Sequence, residues 1–218
     1  MGSINLERPW IEFDLGAEMQ VLSWAVNRPG LVTARRILWR EVRNSDLPPD
    51  LDVTEWFADE LVQRGGEDTV AFLTSRDVRR YCEAEATVEG INAHAVATVG
   101  LSNAERVGSR MDYTRRNWGT INVALHLSEE LTHAGLIETM SIAVQARTAA
   151  VMDAGIALPS GTATGTGTDC VAVAAPAGAN SYAGLHTAIG EAIGKAVYQA
   201  VYIGALEWKL TNRRAAYA

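Results

Sequence analysis

The stretch ATGTGTDCVAVAAP, residues 163–176, groups glycine, threonine and acidic side chains directly ahead of an apolar run. Gly165 and Gly167 carry no Cβ, so they let a backbone approach a ligand closely. Asp169 stands where the loop meets the apolar run and suits a general base, while the loop N–H groups suit an oxyanion. The same residue types are also typical of a plain turn. The segment therefore predicts either a catalytic loop or a tight connection between two elements.

Nucleotide-binding loops do not fit this segment. A Walker-type loop and a dinucleotide-binding fingerprint both follow a strand and open a helix. Here a helical pattern comes first and the apolar strand comes last, and no lysine follows the glycines. The order of elements excludes both phosphate-binding motifs.

A histidine and a carboxylate lie in a second candidate segment, YAGLHTAIGE, residues 182–191. His186 stands close to a predicted helix N-terminus, where an imidazole loses its proton readily and suits a neutral base or a hydrogen-bond donor. Glu191 shares a helix face with Thr187 and not with His186. A structural, hydrogen-bonded histidine is the alternative. The remaining histidines have no metal-ligand spacing, so no metal site is expected.

Further polar residues lie at predicted strand ends and in loops. Asn103, beside Ser102, ends a predicted strand, where its amide is able to reach a ligand, although Ser-Asn is also common in turns. Glu41 lies among large apolar residues and needs a partner or solvent. The arginine-rich loop 106–116 is basic within an acidic chain, which favours either a contact with a polar substrate or a solvated loop.

Nucleophilic catalysis has little support. The chain lacks a GxSxG elbow, and Cys170 stands on a predicted buried strand with no residue nearby that would lower its pKa. Hydrolysis by an activated water molecule is the simpler enzymatic hypothesis. The residues alone predict a soluble α+β domain with a polar, glycine-rich loop that is compatible with an enzyme.

Composition narrows the class of protein. The chain has 218 residues, 48% of them hydrophobic, and a net charge of −7. An acidic surface argues against binding to nucleic acid or to an anionic membrane. The two cysteines, Cys82 and Cys170, form no CxxC pair, and the N-terminal residues lack the apolar core of a signal peptide. We therefore expect a cytoplasmic protein.

Hydrophobic periodicity predicts an α+β fold: a single domain over residues 1–218, with a mostly antiparallel or mixed sheet. Two long helices, at about 129–154 with Ser128 as N-cap and at about 186–210, are expected to pack on that sheet. The patterns also predict strands at VLSWAV (21–26), TVAFLT (69–74), TINVALHL (120–127) and CVAVAAP (170–176), a helix capped by Thr54, and a short helix at RDVRRYCEAEA (76–86).

Several stretches, taken in order, resemble the adenosylcobinamide amidohydrolases of the CbiZ type. The resemblance covers the chain from about Val21 to Val201, and it is specific through the order and spacing of its motifs. Those motifs are VLSWAVNRPGLVTARRILWREV, AFLTSRDVRRY, ATVGLSNAERVG, GTINVALHL, ARTAAVMDAGI, ATGTGTDCVAVAAP and YAGLHTAIGEAIGKAVY.

The resemblance implies hydrolysis of the amide that joins a corrinoid propionate side chain to aminopropanol, giving adenosylcobyric acid for salvage and remodelling. The corrinoid is then the substrate and brings its own cobalt, so no cofactor is expected. No nucleic-acid or membrane partner is implied, and a homo-oligomer is possible. On the same resemblance Asp169 and His186 take the proton-transfer roles, with Thr168 and Glu191 beside them. Substrate contacts fall to Gly165, Thr166, Gly167, Asn103, Ser102, Asn27, Glu41, Asn122 and Arg115.

The chain departs from the family pattern at one turn, and two alternative functions remain open. A glycine-rich turn is expected after the WAV strand, whereas this chain has Asn27-Arg28-Pro29-Gly30, which puts the substrate range in doubt. A non-catalytic corrinoid carrier would need the binding cleft without a base and an acid. An amidohydrolase acting on another amide is the second rival.

Overall fold

A computed structural model describes residues 2–43, 45–110 and 118–215, with side chains described up to residue 212. Three α-helices occur in these ranges: α1 (Val53–Arg64), α2 (His133–Ala154) and α3 (Ala188–Ala215). The longer strands are β1 (Ser3–Glu7), β2 (Trp10–Ser23), β3 (Gly30–Glu41), β4 (Val70–Thr74), β5 (Cys82–Val88), β6 (Ile91–Val99), β8 (Ile121–Leu127) and β12 (Cys170–Ala175). Four two-residue strands are β7 (Ala104–Glu105), β9 (Ala157–Leu158), β10 (Gly161–Thr162) and β11 (Gly165–Thr166).

The eight longer strands form one mixed sheet in the order β4-β3-β2-β12-β8-β6-β5, with β1 added beside β2. The pairs β3/β4 and β12/β8 are parallel, and the others are antiparallel. β2 is long enough to pair with two strands along the same edge: residues 10–14 pair with β1 and residues 20–23 pair with β12. The predicted α+β class, with a mixed sheet and two long helices packed on it, is confirmed.

Helices α2 and α3 cover one face of the sheet. Alternate residues of β6, β8 and β12, among them Ala95, Ala97, Val123 and Val173, share one buried cluster with the apolar sides of the two helices. Close packing of the two helices on small side chains explains why alanine is so frequent in these strands.

The opposite face of the sheet is covered by the sheet itself. Phe13 of β2 and Trp39 of β3 share a buried cluster with Ala124 of β8 and Ala172 of β12, which shows that the strands curl over one another. The curl brings β4 to β8, where Asn122 Nδ2 donates a hydrogen bond to the Leu73 carbonyl at 2.7 Å. Both faces of β8 are therefore buried.

Three local predictions are wrong, each for a physical reason. Ser128 does not cap α2; its hydroxyl accepts a hydrogen bond from the Asn92 N–H, and α2 begins after Thr132, whose hydroxyl accepts from the Gly135 N–H. The N-cap of α1 is Asp52 and not Thr54, because its carboxylate accepts two of the first free N–H groups.

The third error concerns residues 76–86. Only Val78–Arg80 is helical there, as one 3₁₀ turn, and Cys82–Val88 is an edge strand. Alternation decides its conformation, since Cys82, Ala84 and Ala86 are half-buried while Glu83 and Glu85 are exposed. In the described ranges no helix is both long and apolar enough to cross a bilayer.

Candidate active site

Asp169 lies at the start of β12 with 6% of its side chain exposed, and it accepts four hydrogen bonds. Oδ1 accepts from the Thr166 hydroxyl at 2.5 Å and from the Ile121 N–H at 3.1 Å. Oδ2 accepts from the Thr166 N–H at 3.0 Å and from Arg147 Nη1 at 2.7 Å. Because a carboxylate offers about four acceptor positions, Asp169 has none left for a water molecule. In this geometry it holds the loop in shape.

Arg147 brings α2 into the site. Its guanidinium also donates to the Thr164 carbonyl at 3.1 Å, and only 12% of its side chain is exposed. Gly165 makes this approach possible, because a Cβ at that position would lie 2.5 Å from Asp169 Oδ2 and closer still to Arg147 Nη1. The glycine at 165 is thus explained by a close approach of side chains to its backbone.

The far end of the loop is fastened through Thr168. Its hydroxyl donates to the Gly119 carbonyl at 2.9 Å and receives a long hydrogen bond, 3.4 Å, from Asn103 Nδ2. The Thr168 carbonyl accepts from the Thr120 hydroxyl, which also donates to Asn122 Oδ1. The predicted residues Asn103, Asn122 and Thr168 therefore meet in one polar network.

Two cavities flank this loop. The first, about 440 Å³, is mainly apolar and is bordered by the exposed indoles of Trp24 and Trp118, with Thr168 and Asn122 at its polar edge. The second, about 730 Å³, is lined mainly by polar and charged residues. Its described lining comes from the loop, from the turn that follows β7 and from Arg106, Arg110 and Arg147. Trp24, Gly167 and Asp169 border both cavities, so the loop forms the wall between them.

Trp24 is held in a defined orientation at that wall. Its indole N–H donates to the Asp169 carbonyl at 2.7 Å, while 46% of the residue stays exposed. A tryptophan fixed at its polar edge presents a rigid apolar surface to a ligand. The site thus combines an apolar platform, a glycine-rich backbone and buried polar groups within one loop.

This arrangement agrees with a comparison of the whole chain against protein families. A family model described as adenosylcobinamide amidohydrolase (CbiZ) matches residues 2–213. The chain belongs to the adenosylcobinamide amidohydrolase family. The resemblance inferred from its motifs is confirmed at the level of the family, which is a family of amidohydrolases acting on a corrinoid.

Comparisons with individual proteins add less. Among solved structures, the PH0078 protein from Pyrococcus horikoshii OT3 is similar with a TM-score of 0.45 and 11% sequence identity, over 89% of this chain and 76% of that one. No curated protein sequence matches this chain.

In this member of the amidohydrolase family, His186 and Glu191 do not join the other candidates. Asp169 precedes β12, whereas His186 follows it, in a segment whose Asn180 and Ala183 bond to Thr132 and Glu138 at the start of α2. Six extended residues span about 20 Å, so the two side chains lie at opposite ends of the sheet. Glu191 is exposed and forms an ion pair with Lys195 at 2.5 Å. The structure does not bring Asp169 and His186 together as a proton-transfer pair.

Asn27 and Glu41 line neither cavity. The Asn27 side chain forms two hydrogen bonds with the backbone at the start of β4. It donates to the Thr69 carbonyl at 2.8 Å and accepts from the Ala71 N–H at 2.9 Å. Glu41 is buried, and its carboxylate is held by Arg8 and by the Val78 N–H. Both residues hold neighbouring segments of the sheet together and lie outside the two cavities.

Two further predicted contacts have different outcomes. Ser102 is exposed in the turn ahead of β7 and borders neither cavity. Arg115 lies in 111–117, outside the described residues.

The cysteines are poor nucleophiles. Burial raises the pKa of the Cys170 thiol to about 12 and that of Cys82 to about 11, so neither is a thiolate at neutral pH. The sequence-based view that cysteine chemistry is unsupported agrees with these values. Among the described residues, His, Cys, Asp and Glu side chains form no group of three that would hold a metal ion.

Four residues of the site escaped the sequence analysis as candidates: Trp24, Glu105, Trp118 and Arg147. Trp24, Glu105 and Arg147 each lie inside a stretch that resembles the family, namely VLSWAVNRPGLVTARRILWREV, ATVGLSNAERVG and ARTAAVMDAGI. Their position in those stretches was the only feature of the sequence that could have indicated these three residues as candidates. Their role was not visible because it depends on contacts between separate segments or on the shape of a cavity. Trp24 lies 145 residues from Asp169 in the sequence, and Arg147 lies 22 residues from it, on a different element.

Proposed function

We propose that this protein hydrolyses the amide between a corrinoid propionate side chain and aminopropanol, converting adenosylcobinamide to adenosylcobyric acid. Membership of the amidohydrolase family supports the reaction class. The observation on which the proposal rests most is the loop 165–169, which separates an apolar cavity with two tryptophans from a polar cavity with three arginines. A substrate with a large ring and a polar amide arm needs these two environments side by side.

The apolar cavity suits the edge of the macrocycle. Trp24 and Trp118 offer flat surfaces for it, and Asn122 and Thr168 lie where amides at the ring periphery would need hydrogen-bond partners. At about 440 Å³ the cavity would enclose only part of a corrin, so the remainder of the ring would stay at the mouth. The cobalt belongs to the substrate and has no assigned protein ligand in this proposal.

The reacting carbonyl would lie against the loop backbone. In the loop, the Thr166 N–H is bonded to Asp169 and the Thr168 N–H to the Thr166 hydroxyl, whereas the Gly167 N–H has no acceptor among the described residues. A free backbone N–H held in a fixed loop is suited to stabilise an oxyanion. Asp169 would then act by keeping that N–H in place, which replaces the general-base role expected from its sequence position.

A role in salvage and remodelling of incomplete corrinoids, in the cytoplasm, follows from the proposed reaction. A non-catalytic carrier is the rival with the same cleft. Incubation of the purified protein with excess adenosylcobinamide separates the two. The proposal expects many equivalents of aminopropanol per protein chain, and a carrier would bind about one equivalent of corrinoid and release none.

A further inference from the structure

All acceptor positions of the Asp169 carboxylate are used by hydrogen bonds within the protein, so the proposed hydrolysis needs another base. Among the described residues, two carboxylates border the polar cavity, Asp169 and Glu105. Asp169 is the only carboxylate bordering the apolar cavity within the described part of the chain. Glu105 is therefore the remaining acidic side chain at the wall between the two cavities.

Glu105 is fixed in position by its backbone. It lies on β7, directly opposite Gly165 of β11, and its carbonyl accepts a hydrogen bond from the Thr164 N–H at 2.8 Å. Its carboxylate lies beside the loop, with Oε1 3.8 Å from the position that a Cβ on Gly167 would occupy. Gly167 is also a loop residue whose N–H has no acceptor among the described residues.

The carboxylate of Glu105 is chemically available. It is half-buried, and within the described ranges no residue donates a hydrogen bond to it and no cationic group lies within 4.0 Å. Asp169, which borders the same cavity, accepts four hydrogen bonds. The contrast assigns different roles to the two acids, because a general base needs a free lone pair within reach of water.

We propose that Glu105 is the general base that activates the hydrolytic water, an inference that rests on the proposed amidohydrolase function. Glu105 takes one proton from water as the oxygen adds to the amide carbon, and the carbonyl oxygen becomes an oxyanion at the Gly167 N–H. The proton passes from Glu105 to the amide nitrogen, and the C–N bond breaks. The second water proton completes the ammonium group of aminopropanol, leaving the propionate as a carboxylate.

The arginines complete this environment. Arg106 donates from Nη1 to the Thr162 carbonyl at 2.9 Å and lies against Gly161, which has a φ of 113° and leaves room for the side chain. With Arg110 it places positive charge in the polar cavity, on the side of the oxyanion. Electrostatic stabilisation of developing negative charge is a major contribution to catalysis of this class.

Steady-state kinetics with adenosylcobinamide test the proposal through Glu105→Gln and Glu105→Ala. We expect Glu105→Gln to lower kcat roughly 100-fold or more, with KM and Tm close to wild type because the side chain has no partner to lose. Formate, a small carboxylate able to enter the space left in Glu105→Ala, is expected to restore part of kcat. Glu67→Gln, an exposed carboxylate outside both cavities, is the matched control and should keep wild-type kinetics.

The outcomes are distinct. If the wild-type protein turns over substrate and Glu105→Gln keeps a kcat close to the wild-type value, the assignment of Glu105 is overturned and the amidohydrolase function stays intact. Loss of kcat in Glu105→Gln that is accompanied by an equal loss of folded protein, and is not restored by formate in Glu105→Ala, would also overturn it. Absence of turnover in the wild-type protein would remove the proposed function and Glu105's role together.

Discussion

Arg147 Nη1 lies 2.7 Å from Asp169 Oδ2, which ties the C-terminal half of α2 to the loop that precedes β12. Both side chains are nearly buried, and their contact is supported by the Thr166 N–H and hydroxyl. The pair sets the shape of the wall between the two cavities. The first predictions follow from it.

Replacement of Asp169 by Asn should cost stability as well as turnover. The amide would present N–H groups to donors and leave the Arg147 guanidinium buried without its counter-charge, which costs about 3 kcal/mol. Denaturant unfolding of the variant measures this. Asp14→Asn removes an exposed ion pair with Arg35 and should cost less than about 1 kcal/mol. Equal losses in the two variants would contradict a structural role for Asp169.

Gly165→Ala should disrupt the same contact from the other side. The added methyl group would lie 2.5 Å from Asp169 Oδ2, so the Arg147–Asp169 pair must move, at a cost of about 1–3 kcal/mol. Gly194→Ala, in the interior of α3 where nothing lies within 4 Å of the new atom, should instead stabilise the fold by about 0.5–1 kcal/mol. Thermal unfolding of both variants tests whether Gly165→Ala lowers the Tm while Gly194→Ala raises it.

Trp24 should contribute to corrinoid binding. Trp24→Ala removes a platform of the apolar cavity, and we expect the Kd for adenosylcobinamide to rise roughly tenfold. Trp24→Phe keeps an aromatic surface and loses the bond to the Asp169 carbonyl, so its Kd should lie between the two. Absorbance titration of the corrinoid gives each Kd. Leu210→Ala, an exposed apolar side chain on α3, should bind as the wild type does.

His186 and Glu191 should be dispensable for the chemistry. Both follow β12, whereas Asp169 precedes it, and β12 itself spans about 20 Å. His186→Asn and Glu191→Gln are each expected to turn over substrate within about twofold of the wild-type rate. If His186→Asn instead abolished turnover while its Tm stayed unchanged, the reaction would have to take place at the other end of the sheet.

His126 should make the fold sensitive to acid. Burial, with a contribution from nearby His94, lowers the pKa of His126 from 6.5 to about 4. Below pH 6.5 the unfolded chain therefore binds a proton that the folded chain refuses, so stability present above that pH falls progressively down to about pH 4. His126→Gln should lose less stability than wild type between pH 7 and pH 5. Urea midpoints at the two pH values measure the difference.

Local patterns in the sequence predicted most of the fold. The alternation in β8, the apolar run of β12 and the helical spacing of α2 are properties of neighbouring residues, and each element is present within a few residues of its expected bounds. The loop 165–168 was predicted for the same reason, because glycine and threonine next to one another favour turns and loops. The helix expected at 76–86 failed because Glu83 and Glu85 alternate with Ala84 and Ala86 in a short edge strand.

The chemistry of the site depends on contacts between distant segments, which local patterns do not contain. Nothing near Asp169 in the sequence indicates that Arg147 and Ile121 occupy its oxygens. The separation of Asp169 from His186, by contrast, was available from the sequence, because one precedes and the other follows the strand at 170–175. Residues that directly precede and directly follow a single extended strand lie at opposite ends of that strand.

The most direct test of the central claim is hydrolysis of adenosylcobinamide in water enriched in ¹⁸O, followed by mass analysis of both products. The account predicts adenosylcobyric acid carrying one ¹⁸O in its new carboxyl group and an equal amount of unlabelled aminopropanol. It predicts that Glu105→Gln forms both products roughly 100-fold more slowly, or slower still. Corrinoid that binds to the wild-type protein and is recovered intact would contradict it, and would identify the two cavities as those of a carrier.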